Sequence, residues 1–127
     1  MFSIVAKWWI VPGREDDAVT ALATLASAVE QHEPFTTMYL IHTAIVEGSR
    51  PPPPPNEVVF VSGWPDRAAF EQHLDGPVFK GWIAEHLDLF LTDDSGGLFV
   101  TGEFIDRQAG FVRPSAEQPA AGEPSWA

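Results

Sequence analysis

An α+β fold built on one four-stranded antiparallel sheet is predicted by three features of the sequence. Apolar β-branched and aromatic runs alternate with stretches whose apolar residues recur every three or four positions, in the order strand, helix, strand, strand, helix pair, strand. Residues 57–90 hold the clearest of these units, a strand followed by a capped helix and a second helix. The strand runs are apolar on both sides, which suits a sheet covered on both faces. This order is the split β-α-β pattern of a ferredoxin-like fold.

The first strand is expected over residues 3–11. Period two sets Ile4, Ala6, Trp8 and Ile10 on one side and Val5, Lys7, Trp9 and Val11 on the other. Pro12-Gly13 turns the chain, and Glu15, Asp16 and Asp17 place negative charge where the dipole of the next helix is positive. Ala18, Leu22, Leu25 and Val29 form that helix's apolar stripe, His32 lies at its end, and Glu33-Pro34 stops it. Residues 36–47 read as the second strand, with Tyr39, Ile41, Thr43 and Ile45 facing one way and Met38, Leu40, His42, Ala44 and Val46 the other. Residues 51–55 are all proline and form a stiff spacer, while a polyproline ligand for another domain is the alternative use of this loop.

Residues 58–64 are the third strand, ended by Pro65. Asp66 is the natural N-cap of a helix over residues 67–74, and Gly76-Pro77 stops that helix and starts the next. In the second of the pair Phe79, Trp82, Ile83, His86, Leu87 and Phe90 share a face that must be buried. A turn over residues 93–97 leads into a fourth strand at 96–105. The domain is thus expected over residues 1–105. Residues 106–127, rich in Pro, Ala, Glu and Gly, are expected to be a flexible tail or an arm laid on a dimer partner.

At 127 residues and 45% hydrophobic content the chain can supply one ordinary core. Its 7 basic and 18 acidic residues give a net charge of −11, which repels nucleic acid and an anionic membrane surface. There is no cysteine, and neither an H-x-H nor an H-E-x-x-H spacing, so neither a metal site nor a disulfide is expected. The apolar start has no basic region ahead of it and meets Pro12 long before a bilayer is spanned, which points to a soluble, cytoplasmic protein. A sheet whose helices cover one face exposes the other, and a second copy of the chain is the expected cover.

The residues able to carry chemistry are His73, His42, His86, Tyr39 and the indoles of Trp8, Trp9, Trp64 and Trp82. His73 follows Phe70 by three on a short helix and shares its side, so it is either a proton acceptor or an imidazole satisfied by the backbone. His42 and His86 have packing roles as their alternatives. Several indoles around one cavity suit a flat aromatic ligand.

The run Trp64, Asp66, Ala69, Phe70, His73, Leu74, Gly76, Pro77, Phe79 and Lys80 resembles the W-x-D-x-x-A-F-x-x-H-L-x-G-P-x-F-K signature of the antibiotic biosynthesis monooxygenase family, and the likeness covers about residues 3–105. That resemblance implies a dimeric α+β barrel and oxygenation, without cofactor, of a quinol or phenol-like ring. His73 would be the catalytic base. Trp64, Phe70 and Trp82 would be aromatic walls, with Tyr39 or His42 bonding the ring oxygen and His86 in the substrate-binding set. Gly63 departs from the family pattern, because many relatives carry an acidic residue there. Haem-degrading relatives use an asparagine on the first strand, whereas the one asparagine here is Asn56, in the proline loop. The alternatives are a non-catalytic small-molecule-binding dimer or scaffold, and a small-molecule isomerase of the same superfamily.

Overall fold

The computed structural model describes residues 1–113. From residue 114 onward the expected tail or arm lies outside the described residues. The elements are β1 (Phe2–Trp9), α1 (Glu15–His32), β2 (Met38–Thr43), β3 (Glu57–Trp64), α2 (Arg67–Asp75), α3 (Pro77–His86), a 3-10 turn at Leu87–Leu89, and β4 (Thr101–Asp106). They build one four-stranded antiparallel sheet in the order β2-β3-β1-β4, the α+β architecture expected.

Pairing fixes which side chains share a face. Ala6 lies opposite Phe60, Trp8 opposite Val58, and Ile41 opposite Phe60, and these residues meet the helices. Ala18, Leu22, Leu25 and Val29 of α1 are buried against them, and the Trp8 ring sits 4.3 Å from Phe60, 5.2 Å from Phe90 and 5.9 Å from Trp82. Trp82 satisfies its indole N–H by donating to the carbonyl of Ala21 at 2.9 Å, which ties α3 to α1 without leaving a buried donor unpaired. The opposite face carries Val5, Trp9, Leu40, Val59 and Val61, all partly exposed.

Helix ends follow local chemistry. The Asp66 side chain accepts from the amide of Ala69 at 2.9 Å, as an N-cap should, and Pro77 opens α3. Gly76 is needed between them, since a Cβ there would sit 2.8 Å from the carbonyl oxygen of Gln72. Several expected boundaries differ, the first strand for one ending at Trp9 rather than 11. The fourth strand begins at Thr101 rather than 96, because residues 92–98 close a small turn with Thr92 bridged to Leu98. The second strand stops at Thr43 rather than 47. The last helix tightens after His86 so that Phe90 can bridge Ile10 and the Leu89 carbonyl can accept from Val11.

These contacts rank two substitutions. Trp8→Ala, which empties the centre of the aromatic core, should cost about 3–5 kcal/mol in urea unfolding, whereas Asp66→Ala should cost about 1 kcal/mol. Equal losses would contradict the packing described.

Candidate functional site

Where β3 ends, three segments converge on a buried polar group in an aromatic setting. Pro34 forces the residue before it out of helical geometry, so α1 stops and Glu33 becomes its C-cap, with φ −125° and ψ 74°. Glu33 then points inward and is 3% exposed. On α2, His73 is also 3% exposed, and its Nδ1 lies 2.6 Å from Oε1 of Glu33. Thr36 donates its hydroxyl to the same carboxylate oxygen at 3.0 Å and accepts the indole N–H of Trp64 at 2.9 Å. A carboxylate this deep costs several kcal/mol unless paired, and these two donors are what hold it there.

Aromatic rings surround the pair. The His73 ring lies 5.3 Å from Tyr39, 5.3 Å from Trp64 and 5.5 Å from Phe79, and Trp64 meets Phe70 at 4.9 Å. Among the described residues no buried side-chain nitrogen or oxygen lacks a partner, and the His73 ring bonds only to Glu33. Its Nε2 therefore has no bonded partner among the described residues and keeps a small exposure, the side chain being 4% exposed. With Nδ1–H donated to the carboxylate, Nε2 is the nitrogen able to take a proton.

Tyr39 is half-buried, and burial, with the charge of Glu33 adding to it, pushes its phenol well above its ordinary range. It stays neutral and can donate a hydrogen bond at any physiological pH. Because the folded chain holds this proton more tightly than the unfolded one, the contribution to stability is complete below about pH 10 and is lost as pH rises beyond it.

The other expected site residues are elsewhere. His42 is exposed on the opposite face of the sheet, its Nδ1 3.0 Å from the carbonyl of Val59. Trp82 is separated from His73 by the rings of Phe79 and Trp8, and His86 lies against Trp82 with its ring tilted, 4.9 Å between centroids. Gly63 also faces away from His73, where a Cβ would meet Sδ of Met1 at 2.8 Å. Glu33 and Thr36 were not among the expected site residues. One signal was available for Glu33: an acidic group at a helix C-terminus opposes the helix dipole, so it needs another reason to be there. No group of three or more His, Asp or Glu among the described residues is placed to hold a metal ion. No helix among them is long and apolar enough to cross a membrane.

A helix-covered antiparallel sheet with a histidine–carboxylate pair at its edge defines a small α+β protein of the ferredoxin-like type. The model of the family described as antibiotic biosynthesis monooxygenase matches residues 1–85, and the chain belongs to that family. Solved structures agree in fold. An antibiotic biosynthesis monooxygenase superposes with a TM-score of 0.64 at 21% identity, covering 86% of this chain and 100% of that one. A protein from Pseudomonas aeruginosa gives 0.63 at 18% identity, covering 85% and 94%. SnoaB, a cofactor-independent oxygenase from Streptomyces nogalater, gives 0.62 at 14% identity, covering 86% and 94%. Among curated protein sequences none matches the chain.

Tyr39 is the chain's one tyrosine, so a spectrophotometric titration reads it alone. Tyrosinate absorbance in the folded protein should be missing at about pH 10, where an ordinary phenol is half ionised, and Glu33→Gln should lower the midpoint. An ordinary titration in the folded parent contradicts the buried, carboxylate-flanked placement.

Proposed function

We propose that the chain is a monooxygenase that oxidises a small quinol or phenol-like aromatic without a cofactor. The observation that carries this reading is the buried Glu33–His73 pair, 2.6 Å apart and walled by Tyr39, Trp64 and Phe79. A phenol at neutral pH is a poor electron donor, and its anion is a far better one. The protein's task is therefore to take the proton of the ring's hydroxyl and keep water away while the anion gives an electron to dioxygen, which is itself apolar. Nε2 of His73 is the base. Glu33 holds the ring in the tautomer that leaves Nε2 free and stabilises the imidazolium that forms, as a carboxylate does for a histidine in other acid–base pairs. Tyr39, kept neutral, donates to the ring oxygen as charge grows on it.

The working unit is a homodimer in which the open sheet faces of two copies cover one another. Support comes from Val5, Trp9, Leu40, Val59 and Val61, a half-exposed apolar surface with no helix over it. The domain proper ends with β4, near residue 105.

His73→Ala should lower turnover of a reactive quinol by about 10²- to 10⁴-fold while leaving its binding in place. Oxygen uptake at the parental rate by that variant removes the catalytic role, and no uptake by the parent with any quinol favours a binding protein instead. Light scattering should give twice the chain mass at micromolar concentration, with about 2,000 Å² or more buried between copies. A stable monomer contradicts the dimer.

A further inference from the structure

Thr36 lies in the short connection between α1 and β2, and its amide donates to the Glu33 carbonyl at 2.9 Å. The next residue fastens this connection to the end of β3, since both the amide and the hydroxyl of Thr37 donate to the carbonyl of Gly63, at 3.0 and 2.8 Å. Thr36 is thereby held between Glu33 and Trp64, which is 1% exposed. Its hydroxyl oxygen is 2.9 Å from the indole nitrogen and 3.0 Å from Oε1 of Glu33. An indole N–H can only donate, and an ionised carboxylate can only accept. The hydroxyl oxygen must therefore take the proton of Trp64, and its own single proton is left for Glu33. The same Oε1 accepts from Nδ1 of His73 at 2.6 Å, so one oxygen serves two donors. Among the described residues Glu33 is the one charged partner of His73.

We propose that Trp64 and Thr36 are positioning residues for the base, acting through Glu33 to keep Nε2 of His73 free of a proton. This rests on the reading of His73 as the group that deprotonates the ligand. A carboxylate beside an imidazole favours the imidazolium, and an imidazolium is no base. The Thr36 hydroxyl takes up part of the acceptor strength of Oε1 and so weakens the hold of the carboxylate on a second proton at the ring. The indole of Trp64 makes that donation compulsory and, by donating to the hydroxyl oxygen, strengthens it. Trp64 thus meets the pair twice, with its ring 5.3 Å from His73 and with its N–H through Thr36.

Nitrogen NMR of the full, ligand-free chain carrying isotope-labelled histidine reads the pH at which His73 is half protonated. Thr36→Val, which keeps the side chain's shape and removes the hydroxyl, should raise that pH by about one unit, and Thr36→Ser should return it to the parental value. The sign follows because a carboxylate with one donor fewer is a stronger partner for the charged ring. Trp64→Phe should raise it more in the parent than in Thr36→Val, where the indole has no hydroxyl to act on. Should Thr36→Val not fold, Trp64→Phe alone must still raise it, since that variant leaves the carboxylate both of its donors. The proposal is overturned if neither variant raises the pH, as with loss of mere packing, if Thr36→Ser fails to restore it, or if Trp64→Phe changes it equally in both backgrounds. No ligand or turnover enters these measurements. The expected shifts in a protein that takes up no oxygen with any quinol would overturn the oxygenase reading and leave the coupling of Trp64 and Thr36 to His73 standing.

Discussion

A carboxylate held in the protein interior is the constraint on which the site depends. Glu33 can stay buried because His73 and Thr36 both turn toward it, and each of those residues belongs to a different part of the chain. Glu33 ends α1, Thr36 lies in the connection to β2, and His73 is in the last turn of α2. The same contact that offsets the desolvation of the carboxylate therefore fixes the end of one helix against another. Trp64 joins through Thr36, which places the end of β3 in the same network. Removing one member leaves an unpaired buried polar group, so the members hold one another in place.

Around that network the aromatic side chains fall into two zones with different work. Trp8, Phe60, Trp82 and Phe90 pack at the middle of the sheet and hold the helices to it. Trp64, Phe70, Phe2 and Phe104 run along the edge toward β4, where all six residues of the strand are exposed. The first zone is a closed core. The second ends at the half-exposed Phe104.

Much of the fold was legible because the strand runs are apolar on both sides and the helical stripes recur at period 3.6. Alternation along residues 38–43 already set Tyr39 and His42 on opposite faces, and the structure keeps them there, on opposite sides of the sheet. Offering Tyr39 or His42 for the same ligand oxygen set that alternation aside. The placement of His73 beside Phe70 followed from helical spacing, but its partner did not, since Glu33 lies 40 residues earlier and a helix stop gives no hint of where its side chain points. Thr36 was equally hidden, because its contact with Trp64 spans 28 residues. Strand ends were misjudged where a bridge or tight turn, such as Thr92 with Leu98, took over backbone groups that an apolar run alone assigns to a strand.

The central claim is that Glu33 and His73 act as one unit in taking a proton from the ligand. A double-mutant cycle on kcat/KM for quinol oxidation tests it most directly, using Glu33→Gln, His73→Ala and the two together. If the carboxylate works only through the imidazole, the double variant should be no slower than His73→Ala alone. Losses that multiply, so that Glu33→Gln slows the His73→Ala protein as much as it slows the parent, would contradict the account.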